Sequence, residues 1–177
     1  MSAVLGMDAA VIEDVLNGRE GVSIANYNCP GQIVITGEAA AVAEAGTALK
    51  EAGARRVLPL KVSGPFHSPM MRPAGEELAK VFARVSMNPL KIPYVANINA
   101  EVITDCGRIE GLLVEQVSGS VRWQQSVETM IREWVDTFVE IGPGKTLTGF
   151  LRKIDKNVKA YHIGSWEEAV QVCEELK

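Results

Sequence analysis

The sequence predicts an α/β protein in two units, the first over residues 1–62 and the second over residues 63–177. Three observations carry this. Short β-branched runs alternate with stretches of helical period along the whole chain. Glycine and proline mark the changeovers. After Val62 the pattern shifts from neighbouring strands to strands that are each followed by a helix, which implies a parallel sheet. With 47% hydrophobic and 23% charged residues over 177 positions, the chain is long and apolar enough for a real core.

The elements of the first unit follow in order. Ser2–Leu5 is a short strand ended by Gly6. Asp8 is placed to cap a helix with Val11, Ile12, Val15 and Leu16 on one face, stopped by Asn17-Gly18. Val22–Tyr27 and Gln32–Thr36 read as strands joined by Asn28-Cys29-Pro30-Gly31. A helix from Glu38 to about Ala52 carries Val42, Ala45, Leu49 and Ala52 in helical register, and Arg56–Val62 closes the unit as a strand. The order βαββαβ is the split βαβ, ferredoxin-like plan.

In the second unit, Met71, Ala74, Leu78, Val81, Phe82 and Val85 form one helical face. Pro93–Asn99 reads as a strand, and Ile109–Gln116 and Gln124–Trp134 as helices. Two β-α pairs follow, Thr137–Ile141 with Thr146–Ile154, and Lys159–Ile163 with a final helix. Ser165 and Glu168 form a capping box for that last helix, whose expected buried stripe is Trp166, Ala169, Val170 and Cys173. A parallel sheet of only three strands leaves apolar faces uncovered, so a partner or a further segment is expected over them.

Several function classes are disfavoured at once. A net charge of −4 argues against a dedicated nucleic-acid binder. No apolar run approaches the ~20 residues of a membrane span. Cys29, Cys106 and Cys173 are odd in number and far apart, which argues against a disulfide framework or a zinc site and favours the cytoplasm.

The chemistry-bearing candidates are few. His67 lies in the tight loop Ser63-Gly64-Pro65-Phe66-His67-Ser68-Pro69-Met70, between a strand and a helix. A histidine acting as general base needs one ring nitrogen fixed by an acceptor and the other turned to the substrate or nucleophile. Gly142-Pro143-Gly144-Lys145-Thr146 invites a phosphate-loop reading, but Val139 stands where that motif needs its first glycine. A strand-to-helix turn is the better reading. Cys29 has no local feature that activates a thiol, and His162 stands alone on a strand. No Gly-x-Ser-x-Gly nucleophile elbow occurs anywhere in the 177 residues.

Three segments together resemble the malonyl-CoA:acyl carrier protein transacylases of fatty-acid synthesis. They are Ala25-Asn26-Tyr27-Asn28-Cys29-Pro30-Gly31-Gln32-Ile33-Val34-Ile35-Thr36-Gly37, Gly64-Pro65-Phe66-His67-Ser68-Pro69-Met70-Met71 and Glu140-Ile141-Gly142-Pro143-Gly144-Lys145-Thr146-Leu147. Asn97-Ile98-Asn99-Ala100 and Val121-Arg122-Trp123-Gln124-Gln125-Ser126-Val127 add two further matches in the family's order.

The resemblance implies that residues 1–62 are a ferredoxin-like subdomain. Residues 63–177 would then be the C-terminal part of a hydrolase-like parallel α/β domain, whose N-terminal half carries the serine elbow. It implies ping-pong transfer of malonyl from coenzyme A to the phosphopantetheine thiol of an acyl carrier protein, with malonyl-CoA as substrate and no metal. His67 matches the family's catalytic base, and Gln116 the residue whose main-chain carbonyl orients it. Phe66 resembles the bulky residue associated with malonyl selection, and Asn28 and Gln32 are candidates for lining the cleft. Without the serine, the oxyanion segment and the arginine for the malonyl carboxylate, the chain alone is expected to be inactive, one part of a shortened or split enzyme. Two other readings stay open: a polyketide-synthase-type acyltransferase, and a non-catalytic ferredoxin-like interaction module with an idle His67.

Overall fold

A computed structural model describes residues 1–176. β1 (Ser2–Leu5), β2 (Val22–Cys29), β3 (Gln32–Gly37) and β4 (Arg56–Pro59) form one antiparallel sheet in the order β2-β3-β1-β4. α1 (Ala9–Leu16) and α2 (Ala39–Glu51) join its strands and share one core with it. Ile33 and Ile35 point into that core two residues apart, as a pleated strand requires, and meet Ile12, Val42 and Leu49. Each such fully buried aliphatic side chain contributes roughly 1.5–3 kcal/mol relative to exposure. Val34 faces the other way, into a small cluster with Ala3 and Ala25. The sheet is therefore packed on both faces near β1.

Two glycines set close approaches. Gly31 (φ 72°) closes the β2–β3 turn, and its carbonyl accepts from Gly6 N at 2.8 Å. At Gly37 (φ 140°) a Cβ would run into the Gly21 carbonyl, so only glycine fits the end of β3.

Beyond β4 the chain is less closed. A 3-10 turn at Pro69–Met71 leads into α3 (Arg72–Phe82), which packs against α4 (Ile109–Ser118). Gly75 is buried there, and a Cβ on it would stand 3.1 Å from the Val114 carbonyl. β5 (Tyr94–Val95) and β6 (Val102–Ile103) make a two-residue antiparallel ladder. α5 (Trp123–Arg132) precedes β7 (Thr137–Ile141), α6 (Thr146–Ile154), β8 (Lys159–Ile163) and α7 (Trp166–Glu175). β7 and β8 pair in parallel, and no other strand joins them among the described residues.

Several expectations need correction. The strand expected over Pro93–Asn99 is only Tyr94–Val95 and does not enter the parallel sheet. Ala96 and Ala100 turn the chain back through Ala100 N to Ala96 O, with Ala100 at φ 59°. The parallel sheet thus has two strands rather than three. Asp8 occupies the N-cap position but its side chain makes no capping bond, and Val11 is exposed. Ala74, Val81 and Val85 of the expected α3 face are exposed, as are Trp166, Val170 and Cys173 of the α7 stripe; α7 buries only Val172. A two-strand sheet is too narrow to seat a whole helix face. Ser165 does cap α7, its Oγ accepting from Glu168 N at 3.2 Å, while Glu168 Oε2 accepts from Gly164 N.

Candidate active site

The loop from β4 to α3 is held tightly. Ser68 is buried, its Oγ donates to Pro65 O at 2.6 Å, and Ser68 O accepts from Met71 N at 2.9 Å. These bonds leave His67 in the left-handed region at φ 59°, an uncommon conformation for a side chain of this size. Strain of that kind clusters where geometry serves function. His67 Nδ1 lies 3.1 Å from Gln116 O, near the C-terminal end of α4. A carbonyl only accepts, so Nδ1 carries the hydrogen and Nε2 keeps its lone pair. The carbonyl is free for this because the last carbonyls of a helix have no partner within it, and the negative end of the helix favours a donor there.

The residues after α4 are stitched to β2. Ser120 Oγ donates to Ile24 O at 2.6 Å, Val121 N to Ala25 O at 2.7 Å, and Tyr27 N to Val121 O at 2.8 Å. Part of the β2 edge of the four-stranded sheet is thereby paired. Arg122 lies over the Tyr27 ring, 5.6 Å from its centroid, and its N–H reaches Asn97 O. Tyr27 is buried and its hydroxyl donates to Glu13 Oε1 at 2.7 Å; burial, then that bond and the Glu13 charge, push its pKa up to about 12. The family-like segments at 25–37, 97–100 and 121–127 thus meet at one seam beside the His67 loop.

The Gly142–Lys145 turn is already occupied by the protein itself. Glu140 accepts from Thr148 N at 2.7 Å, Thr148 Oγ1 at 2.6 Å and Leu147 N at 3.1 Å, filling the anion position at the start of α6. Desolvation works against the charge, but these hydrogen bonds outweigh it and lower the Glu140 pKa. This agrees with a structural turn rather than a phosphate cradle. His162 Nε2 lies 2.9 Å from Gly142 O and holds the same turn from β8.

The remaining candidates are spread out. Phe66 is 41% exposed beside His67. A cavity of about 270 Å³ adjoins the same loop, between Ser68, Pro69 and Met70 and the Val22–Ser23 and Gly37–Glu38 ends of the sheet. Asn28 and Gln32 do not line it: Asn28 lies five residues beyond Ser23 on β2, roughly 17 Å at strand rise. Gln32 Oε1 accepts from Lys153 Nζ at 3.4 Å, joining the hairpin to α6. Cys29 is buried; desolvation raises its pKa against the opposing effect of Lys153, so it stays a thiol. No cluster suited to a metal ion occurs among the described residues, and no helix is long and apolar enough to cross a membrane.

Sequence reasoning did not find the roles of Ser68, Ser120, Glu140 or the Gln116 side chain. Gln116 Nε2 donates to Gly119 O at 2.9 Å and reaches Ser120 O at 3.4 Å, while its Oε1 is buried without a partner. Glu140, seven residues before Leu147 across a glycine turn, was the one of these with a readable signal, an acid poised before a helix start.

Comparison with known proteins places this geometry. Residues 1–172 match the family described as acyl transferase domain. The malonyl CoA-acyl carrier protein transacylase of Bacillus subtilis is 41% identical over the whole of this chain. The crystal structure of that type of enzyme from Streptococcus pneumoniae superposes with a TM-score of 0.93 at 41% identity, covering 98% of this chain and 58% of its own. A malonyl-transacylase solved in complex with its type II polyketide synthase acyl-carrier protein superposes at 0.91 with 35% identity, covering 98% of this chain and 57% of its own. The chain spans 57% of the Bacillus relative's length. It belongs to the acyl transferase domain family.

Proposed function

We propose that the enzyme to which these residues contribute moves malonyl from coenzyme A to the phosphopantetheine thiol of an acyl carrier protein, with His67 as general base. The observation that supports this best is the 3.1 Å approach of His67 Nδ1 to Gln116 O, which leaves Nε2 free to take a proton. A serine hydroxyl, supplied from outside these residues, attacks the malonyl thioester while Nε2 accepts its proton. The tetrahedral intermediate collapses, the carbon–sulfur bond breaks, and Nε2 returns the proton to the coenzyme A thiolate. The carrier's thiol then attacks the malonyl ester, with the same nitrogen taking its proton and passing it to the serine oxygen. A neutral carbonyl fixes the tautomer throughout without placing a full charge beside the ring.

In this reading residues 1–62 are a ferredoxin-like subdomain and residues 63–177 the C-terminal part of a hydrolase-like α/β domain, working in the cytoplasm. Phe66 crowds an α-methyl substituent, a discrimination worth roughly 1–3 kcal/mol. Asn28 and Gln32 act at the hairpin end of the cleft. With no serine elbow in the sequence, the 177 residues transfer nothing alone.

Intact mass after incubation with malonyl-CoA tests this. The chain alone should remain unmodified. Mixed with the part of the Bacillus relative that it does not cover, it should support a malonyl adduct on the added part, discharged by carrier protein. A stoichiometric adduct on the 177-residue chain that carrier protein discharges would overturn the assignment. The likeness to a polyketide-synthase partner enzyme keeps a polyketide carrier as a second reading, which a panel of carrier proteins separates. A stand-alone interaction module fits poorly with Trp134, Trp166, Ile141 and Ile92 each more than three-quarters exposed.

A further inference from the structure

Gln116 offers two groups to the His67 site, and only the carbonyl belongs to the mechanism above. We propose that its side-chain amide is a positioning group for His67, pinning the turn after α4 so that the Gln116 carbonyl holds the Nδ1–H tautomer; this rests on the acyl-transfer reading only for its catalytic consequence.

The geometry carries the argument. α4 ends where Gly119 N donates to Glu115 O and Gly119 turns to φ −105°, ψ 158°, so the chain leaves the helix three residues past Gln116. A helix end of this kind frays unless something holds it. Gln116 Nε2 reaches both Gly119 O and Ser120 O, and the next bonds, Ser120 Oγ to Ile24 O and Val121 N to Ala25 O, tie the same turn to β2. The turn that follows the carbonyl meeting His67 is therefore held on both sides, by the Gln116 side chain and by β2.

The orientation of the amide is forced, since both neighbours are carbonyl acceptors and only the nitrogen donates. That leaves Oε1 buried without a partner. An unpaired buried acceptor is unfavourable, and an apolar side chain of the same length avoids it. A residue kept only for packing has no reason to carry that penalty. A residue that must hold the turn does.

The test is histidine-selective 15N labelling of the chain, read by long-range proton–nitrogen correlation at a pH high enough to neutralise imidazole. The chain has only two histidines, and they report opposite tautomers: Nδ1–H for His67 against Gln116 O, and Nε2–H for His162 against Gly142 O. Gln116→Met keeps the length and removes the donor. Its expected result is a shift of His67 toward a mixture with Nε2–H, an unchanged His162, and unfolding stability equal to or above that of the parent. In the reconstituted enzyme the same variant lowers kcat about 10-fold with KM for malonyl-CoA held, because the base is misoriented rather than the substrate site altered. Retention of pure Nδ1–H at His67 with parental kcat would overturn the proposal. Loss of Nδ1–H in a protein that transfers no malonyl under any pairing would support the positioning and sink the transfer reading instead. If Gln116→Met does not give the parental circular dichroism, Gln116→Asn, an amide one methylene too short, carries the same two outcomes.

Discussion

The four-stranded unit and the residues after it solve the same problem to different degrees. Between β1 and β4, Val4, Ile12, Ile33, Ile35 and Leu49 are all but sealed from solvent by two helices and one sheet. Around β7 and β8, Ile141 is 78% exposed and Trp134 92% exposed, and Val139 and Val170 are open as well. The first unit encloses its own core; the second leaves large apolar side chains in solvent. His67 lies on the loop that runs from one to the other, so the proposed chemistry would sit apart from the residues that carry the core.

The largest effect that tests this separation is on catalysis. His67→Asn, which tolerates φ 59°, should lower malonyl transfer by the reconstituted enzyme about 10³-fold, roughly 4 kcal/mol of barrier. Its unfolding free energy in urea titration should stay within about 0.5 kcal/mol of the parent. A large fall in stability instead would mean that the loop belongs to the core.

The complementary change is in the first unit. Leu49→Ala empties a fully buried position and should destabilise by about 2–5 kcal/mol in denaturant titration. Ile141→Ala, at a site already in water, should change the unfolding free energy by no more than about 0.5 kcal/mol, while reducing dye binding and light scattering. Equal costs at the two positions would erase the contrast.

The two regions also differed in how far the sequence revealed them. In the first unit the order of strands and helices and most of the core were legible, because Ile33 and Ile35 keep the strand period and Val42, Ala45 and Leu49 the helical one, whereas Val11 and Ala52 are exposed and β4 ends at Pro59 rather than Val62. In the second unit the same periodicity misled: Trp166, Val170 and Cys173 make a credible stripe, yet they face solvent. A pattern reports that a face is apolar and not what covers it. At the candidate site, the His67 loop stood out by its glycine and prolines, and the Gln116 carbonyl was expected beside it only through family resemblance. The contact between them spans 49 positions, and its acceptor is main chain, which leaves no mark on residue type. Asn28 at the end of β2 and Gln32 at the start of β3 shared a motif with the hairpin, and neither lines the cavity beside Ser68.

The Glu140 cap is a smaller, pH-dependent contrast within the second unit. Glu140→Gln should cost about 1 kcal/mol near neutral pH, as the loss of a helix cap does. The folded-state pKa of Glu140 is lowered, so its contribution is present above the unfolded value of 4.5 and fades as pH falls through the folded value. The variant should therefore converge on the parent in acid denaturation below that range. A constant gap down to the lowest pH would show that the carboxylate charge is not what holds the turn.

The smallest effect concerns the seam itself. Tyr27 belongs to the first unit and Arg122 to the second, and the guanidinium opposes the burial and Glu13 contact that raise the tyrosine pKa from 10.0 to about 12. Because the folded value lies above the unfolded one, the Tyr27 contribution is intact below pH 10 and is lost as pH rises toward 12. Arg122→Gln removes the cation that lowers the Tyr27 pKa, so tyrosinate absorbance from Tyr27 should appear at still higher pH, with a stability loss of about 0.5–1 kcal/mol. Tyr27→Phe should abolish the transition and flatten the alkaline limb of stability. If Arg122→Gln leaves the tyrosinate transition where it was, the two units do not meet through this pair in solution. The coupling from β2 to the Gln116 carbonyl would then rest on the Ser120 and Val121 bonds alone.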